Sequence, residues 1–319
     1  MLERSGMIES RHLGAAVVLD ADGSVLREVG DAHAIIYPRS SIKPVQAMAL
    51  MRSGVRLAGE QAAIASSSHA GTAEHVRVVE ELLARAGLTE ADLRCPAEWP
   101  ADPAAAAAAR VSGVGPRRIT MNCSGKHAAF LLACVVNGWS ITDYLEPNHP
   151  LQRQIRRTVE EFTGEGIRHL GTDGCGAPLV TVSLRSLARA IGRIARTASE
   201  GTDHDAAALV SAIRANAWAI DGPGRTNTVV VDELGLLCKG GAEGVTVMAA
   251  PGGRAVAVKI LDGSQRATTL VALHLLAQCG AIEPSEAERV IELTTDRVLG
   301  GGRRVGELRL ADRLTIAAD

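Results

Sequence analysis

Lysine is nearly missing from this chain: of 34 basic residues only four, Lys43, Lys126, Lys239 and Lys259, are lysines, and the rest are arginines. Where any positive charge suffices, this sequence uses arginine, so a retained lysine marks a place that guanidinium cannot fill. Arginine stays protonated in a protein, whereas a crowded or desolvated lysine amine can become neutral and act as a base or ligand. Aromatic residues are scarce as well. Phe130, Phe162, Tyr37, Tyr144, Trp99, Trp139 and Trp218 make up 2% of the chain, too few for base-stacking platforms. An excess of one charge sign is also lacking. A net charge of −2 offers no basic surface for a nucleic-acid polyanion. The apolar stretches around 128–136 and 268–277 are too short or interrupted to span a bilayer. No apolar h-region follows the polar segment Met1–Arg11, so no secretory signal is expected. These absences predict a soluble, cytoplasmic protein with neither nucleic-acid nor membrane partners.

The six cysteines, Cys95, Cys123, Cys134, Cys175, Cys238 and Cys279, show no tight pairing pattern. In a reducing compartment, a cysteine inside a glycine-containing turn reads as a ligand or reactive thiol rather than half of a disulfide. With 319 residues, the chain can bury a core without a disulfide or metal.

Alternation at the start predicts a hairpin, with strands Gly14–Leu19 and Ser24–Val29 around Asp20-Ala21-Asp22-Gly23 and a third strand at Ala34–Tyr37. Helical spacing follows to about residue 220, clearest over Ala73–Ala86, His149–Glu161 and Ser183–Ala195. The alanine run Ala104–Ala109 reads as a loop-helix junction, and Thr197–Asp205 as an exposed loop. Alternation returns over Gly244–Ala250 and Arg254–Leu261, followed by helices over about Ser264–Gln278 and Pro284–Thr294 and a last strand at Arg304–Leu310. Strands at both ends with helices between predict an α+β plan, an antiparallel sheet closed by both termini with an inserted helical lobe. A single domain over 1–319 is expected, its sheet from about 12–40 and 225–310 and its lobe from about 41–220. Neither Gly222-Pro223-Gly224 nor Gly240-Gly241-Ala242-Glu243-Gly244 continues as a phosphate-binding strand-loop-helix motif.

Four segments carry chemistry. In Ser40-Ser41-Ile42-Lys43, a helix starting near Ser40 sets Ser40 and Lys43 about one turn apart on one face. Pro44 falls in the first turn, where its missing N–H is harmless. A lone Ser-x-x-Lys is commonly a helix cap with a solvated lysine, but a lysine base beside a serine is also a known way to activate a nucleophile. Ser66-Ser67-Ser68-His69 could deliver a second hydroxyl, Ser68, to the same cleft. Cys123-Ser124-Gly125-Lys126 and Thr172-Asp173-Gly174-Cys175 hold two thiols in glycine-containing turns that could converge on Zn²⁺. Lys126 would be an unusual third ligand, able to serve only with a strongly lowered pKa, which a metal would itself bring about. Finally, Ala255, Ala257 and Lys259 share one face of an alternating strand whose small side chains could line a cleft.

Taken together, Pro38-Arg-Ser-Ser-Ile-Lys-Pro44, Ser68-His69, Asn122-Cys-Ser-Gly-Lys-His127, Gly171-Thr-Asp-Gly-Cys175 and Val258-Lys-Ile-Leu-Asp-Gly263 resemble the asparaginase II family. Those are L-asparaginases related in fold to serine β-lactamases and serine-type glutaminases. The resemblance covers nearly the whole chain. It implies a serine β-lactamase-like fold and hydrolysis of L-asparagine to aspartate and ammonia through an acyl-enzyme. It also implies two Ser–Lys pairs, Ser40 with Lys43 and Ser68 with Lys259, and one zinc held by Cys123, Lys126 and Cys175. Asp173 and His127 lie beside that zinc in the implied site. Arg39, His127 and Asp173 are expected to bind substrate, Arg39 by gripping its α-carboxylate. A homodimer is the expected assembly. Serine β-lactamases carry a Lys-Thr-Gly triplet beside the nucleophile, and Lys259-Ile260-Leu261 does not match it. The alternatives are another Ser–Lys acyl hydrolase (a glutaminase, an esterase or a β-lactamase relative) and a non-catalytic zinc- or amino-acid-binding relative. Lys239, in a glycine-rich segment, receives no role.

Overall fold

The computed structural model describes residues 1–311 and Leu314; the expected end of the domain at residue 319 lies outside the described residues. A five-stranded antiparallel sheet runs in the order Val25–Val29, Gly14–Leu19, Ala255–Ile260, Val245–Ala249, Leu237–Gly241. The N-terminal hairpin thus closes against the C-terminal strands, as the alternation at both ends implies. Register puts Val17 opposite Ala257, Ala257 opposite Val247, and Val247 opposite Lys239. These residues share one face, because side chains alternate along each strand and cross-strand partners point the same way.

The two hairpins form nearly where their sequences predict. The strands at Gly14–Leu19 and Ala255–Ile260 are built from Val, Ala, Leu and Ile and are buried on both faces. The helices Leu184–Glu200 and Thr268–Gln278 pack on the sheet. Closest approach is bought by a bare position: a Cβ at Gly192 would lie 2.7 Å from the Gly253 carbonyl oxygen and 3.0 Å from the Ala255 Cβ.

Between the hairpins the chain forms the helical lobe, with helices at Lys43–Arg52, Gly59–Ala65, Ala73–Arg85, Pro103–Val111, Ser124–Asn137, Pro150–Thr163 and His204–Ala215. The start of Ala73–Arg85 is fixed by a capping box between Thr72 and His75, which satisfies two backbone N–H groups that the helix leaves open. Ser124–Asn137 runs through the middle of the lobe, buried without a break from Ser124 to Cys134. A second sheet, Val298–Gly300, Arg303–Leu308, Leu2–Arg4, Met7–Ser10, joins the two chain ends. No helix among the described residues is long and apolar enough to cross a membrane.

Two expectations change, and a strand appears where none was expected. Ala104–Ala109 is the body of a helix, Pro103–Val111, whose start is capped by Asp102. Most of the expected loop 197–205 is helix, with only a short break after Glu200. Leu237–Gly241 is a strand despite two glycines, and that difference bears directly on the site.

Gly192 gives a test of the helix-to-sheet contact. Alanine is favoured over glycine by about 1 kcal/mol within a helix, but overpacking costs about 1–3 kcal/mol, and the atom in the way is a backbone oxygen. Gly192→Ala should therefore lose stability on balance, while Gly252→Ala, which meets nothing within 4 Å, should unfold like the parent in urea. Equal midpoints for the two variants would show that this helix can shift off the sheet at no cost.

Candidate active site

One turn of 3₁₀ helix, Arg39–Ile42, leads into the helix Lys43–Arg52, with Pro44 in its first turn. The Lys43 N–H donates to the Ser40 carbonyl, which keeps the two side chains about a turn apart. Just before Ser40, Arg39 has φ of +52°, left-handed backbone that costs energy in a residue with a Cβ. Its neighbours hold it there. The Ser41 hydroxyl donates to the Pro38 carbonyl at 2.6 Å, and Arg39 Nε donates to Asp173 Oδ1 at 2.8 Å.

Lys43 is 1% exposed. Its Nζ donates to the Ser67 carbonyl at 2.5 Å, to Ser68 Oγ at 3.0 Å and to Cys123 Sγ at 3.1 Å. Ser68 follows the helix Gly59–Ala65, and its N–H donates to the Ile220 carbonyl at 2.9 Å. A second amine reaches the same hydroxyl from the sheet. Lys239 Nζ donates to Ser68 Oγ at 2.9 Å and to the Gly240 carbonyl at 2.8 Å. Burial, and then the charge of Lys43, lowers the Lys239 pKa to about 7. Near neutrality this amine therefore divides between its charged and neutral forms.

Lys259 does not form the expected pair with Ser68. Its Nζ donates instead to the carbonyls of Glu243 at 2.7 Å and Ile260 at 2.5 Å. The two lysines point to the same face, but Lys259 stands two strands further into the sheet and two residues along, about 12 Å away by ordinary strand spacing. Leu237–Gly241 is the edge strand beside Ser40, so Lys239 can reach the lobe. The glycines after Lys239 allow the approach. A Cβ at Gly241 would lie 2.5 Å from the Pro38 carbonyl oxygen and 3.2 Å from the Ser40 nitrogen. Lys239-Gly240-Gly241, not the segment at Lys259, is thus the lysine-bearing strand beside the turn at Ser40.

Ser40, Ser68, Asn122, Asp221, Arg225 and Lys239 line a common cleft of about 620 Å³. Among the described residues the half-buried Ser40 hydroxyl makes no side-chain hydrogen bond, in contrast to Ser68.

Behind Lys43 lies the thiol cluster. Cys123 donates to Asn122 Oδ1 at 2.9 Å, and Lys126 Nζ lies 3.1 Å from Cys175 Sγ. A hydrogen bond to Cys175, then burial, pushes the Cys123 thiol up to about 12, while the same bond, with the Lys126 charge, lowers Cys175 to about 5. Burial alone would lower Lys126, but Cys175, Cys123 and Asp173 outweigh it and raise it. A thiolate and an ammonium therefore face each other in the interior. Burial pulls Asp173 upward too, but Lys126 and Arg39 outweigh it and hold the carboxyl below its ordinary range.

The structure thus links Lys43, Ser68, Cys123, Lys126 and Cys175, whereas Ser40 shares the cleft with Ser68 but its hydroxyl makes no hydrogen bond to Lys43, so the side chains of the expected Ser40–Lys43 pair are not in contact. The expected substrate-binding residues fare differently. Arg39 is committed to Asp173 and is not among the residues lining the cleft. His127 is fully enclosed, its Nδ1 2.8 Å from the Tyr144 hydroxyl, and burial followed by Lys126 lowers its pKa to about 3. It is a neutral, interior ring rather than a cleft residue. Lys239 is the residue that the sequence reading left without a role; its rarity as a lysine was the signal for it. Among the described residues, no group of three or more His, Cys, Asp or Glu side chains is gathered to hold a metal ion, so a metal beside Cys123 and Cys175 would need a third donor of another kind.

Residues 1–310 match the family described as L-asparaginase II. No curated protein matches the sequence. Solved structures that match include one described as Mglu in its native form, at 13% identity with a TM-score of 0.47, covering 84% of this chain and 64% of that one. Another, described as Mglu in its tris and glutamate form, matches at 16% identity with a TM-score of 0.37, covering 84% of this chain and 59% of that one. This chain therefore spans less than two thirds of either.

With only four lysines, ¹³C-lysine labelling can follow every amine in the protein by NMR. One ε-carbon should titrate near pH 7, vanish in Lys239→Arg and remain in Lys259→Arg. Loss of that signal in Lys259→Arg instead would mean that the wrong lysine has been paired with Ser68.

Proposed function

The chain belongs to the L-asparaginase II family, and from that membership we propose that it hydrolyses the side-chain amide of L-asparagine to aspartate and ammonia through a serine acyl-enzyme. The observation that carries this reading is the Ser68 hydroxyl held between the Lys43 and Lys239 amines, in the same cleft as Ser40. A neutral amine beside a serine is what general-base activation needs.

In the proposed reaction Ser40 is the nucleophile. The two coupled amines hold one proton between them in the reactive form, placed on Lys239, so the Ser40 proton passes to the Lys43 amine as Ser40 Oγ attacks the amide carbon. A tetrahedral oxyanion forms and collapses, and the C–N bond breaks as Ser68 gives its proton to the departing nitrogen. Lys239 restores the Ser68 proton, ammonia leaves, and an acyl-Ser40 ester remains. Water then attacks the ester, losing its proton to the same amines, and aspartate is released. Ser68 suits the relay better than the attack. An oxygen that accepts from two amines has both lone pairs engaged, whereas the Ser40 hydroxyl is free toward the cleft.

The same reading takes the fold as serine β-lactamase-like, with the Ser-x-x-Lys turn at a helix start and a Lys-Gly-Gly edge strand beside it. It also takes one Zn²⁺ as bound by Cys123, Cys175 and Lys126. The donor types fit, since two cysteine sulfurs and a lysine nitrogen 3.1 Å from one of them match zinc's preference for sulfur and nitrogen, but the ion would have to displace the proton that Cys175, Cys123 and Asp173 favour on Lys126. A zinc ion there would supply a fixed positive charge that orients substrate near Ser40. A homodimer working in the cytoplasm completes the proposal.

Ser40→Ala should remove nearly all ammonia release from asparagine, because no acyl-enzyme can form, with a small residue of rate left by substrate positioning. The parent enzyme's kcat/KM should rise with pH through about 7, since the Lys43–Lys239 pair must give up one of its two protons before it can accept one from Ser40, and the first loss falls there. Wild-type kcat in Ser40→Ala with a dead Ser68→Ala would exchange the two serines' roles, and release from glutamine but not asparagine would change the substrate.

For the metal, protein purified without chelators should carry about one zinc per chain. Cys123→Ser and Cys175→Ser should each lose it while keeping a cooperative unfolding transition, and should raise KM more than they lower kcat. Full activity in metal-free protein would reduce both cysteines to packing residues.

A further inference from the structure

Arg39 is not among the residues lining the cleft, which leaves the carboxylate of an amino-acid substrate there to another group. Arg225 is built for that task. Its Nε donates to Asp221 Oδ1 at 2.6 Å, and the Asp221 side chain is 8% exposed. Asp221 is itself pinned, accepting from Asn227 Nδ2 at 2.8 Å and from the Asn227 N–H at 3.3 Å. Beneath the arginine stem lies Gly222, where a Cβ would fall 3.0 Å from Arg225 Cδ and 2.9 Å from the Ala70 Cβ. The stem is thus seated on bare backbone and the guanidinium is anchored at one edge. Among the described residues its two terminal nitrogens make no hydrogen bond, and the side chain is 45% exposed on the wall of the cleft.

Its place relative to the reacting groups is also fixed. The Ile220 carbonyl accepts the Ser68 N–H at 2.9 Å, so the segment carrying Asp221 runs alongside Ser68. The other cations lining the cleft are less suited. Lys239 is spent on Ser68 and the Gly240 carbonyl, and Arg266 lies 4.0 Å from Asp296.

We propose that Arg225, oriented by Asp221, binds the α-carboxylate of the amino-acid amide and so selects amino acids over simple amides. This rests on the asparagine-hydrolysing reading above. A planar guanidinium with two free N–H groups grips a carboxylate in bidentate fashion, and losing such a charged pair costs roughly 10- to 100-fold in affinity.

The test compares asparagine with 3-aminopropanamide, which keeps the amine and the amide but lacks the carboxylate. Wild-type enzyme should favour asparagine strongly. Arg225→Gln should raise KM for asparagine by roughly 10- to 100-fold, leave the analogue unchanged and so collapse the ratio. Arg225→Lys should restore part of it, and Arg39→Gln should retain it. An unchanged ratio in Arg225→Gln, or a collapse in Arg39→Gln alone, overturns the assignment. If the wild type releases no ammonia from asparagine, the functional reading fails, and calorimetric binding of L-aspartate decides the site separately. A tenfold or greater loss in Arg225→Gln would support it; equal affinity, or no binding to the wild type, would sink it.

Discussion

Two lysine amines share the Ser68 hydroxyl, and the rest of the site is arranged around that crowding. Two ammonium groups about 5 Å apart repel by roughly 3 kcal/mol in a medium of effective dielectric near 20. Lowering Lys239 from 10.5 to about 7 corresponds to about 5 kcal/mol against its protonated form. Repulsion from Lys43 and loss of water around a fully buried chain together account for a penalty of that order. A neutral amine is therefore a consequence of where the two lysines are put, and no separate device is needed to make one. Arginine at either place would keep its charge and also demand partners for five N–H groups.

The thiol cluster solves the opposite problem. Lys126 is as deeply buried as Lys239, yet it is pushed toward the charged form because Cys175 beside it is a thiolate. The two environments meet at Lys43, which bonds to Ser68 on one side and to Cys123 on the other. Lys239, Ser68, Lys43, Cys123, Cys175 and Lys126 thus form one continuous buried polar chain. Removing an inner member leaves neighbours unsatisfied on both sides, which is costly where water cannot replace them. Lys43 has the most partners and is the least replaceable of the six.

Much of this could be read in the sequence. Alternation placed both hairpins within a residue or two, because Val, Ala and Ile at period two have few other ways to be buried. The lysine shortage singled out Lys43, Lys126 and Lys239, which the structure buries, and the Ser-x-x-Lys turn and the two cysteine turns came together in one region. The partner of Ser68 was misread for a physical reason. The resemblance paired Ser68 with Lys259, which sits in a convincing alternating run, whereas the glycine-rich Leu237-Cys-Lys-Gly-Gly carries no strand signal to place Lys239. Those glycines mark close backbone approach, not a break. Period two also gave the right face for Lys259 and could not give the row or the strand position. His127 shows the same limit. Its place beside Lys126 in the chain said nothing about direction, and one residue of helix turns its ring by about 100°, into the lobe and onto Tyr144.

Sheet order therefore decides which lysine can reach Ser68. Ala255–Ile260 is paired on both edges, so a side chain there meets only its own sheet and what covers it. The free edge of Leu237–Gly241 faces the turn at Ser40, and the lack of a side chain at Gly241 lets the strand come within backbone contact of Pro38 and Ser40. The Ser68–Lys239 distance is thereby tied to the docking of sheet against lobe, with Ser68 fixed from the lobe side by the Ile220 carbonyl. Asp221 and Arg225 continue directly from that same anchoring residue. One backbone hydrogen bond consequently sets both the hydroxyl that receives the amines and the arginine that faces the cleft, so a shift of lobe against sheet would displace the two together.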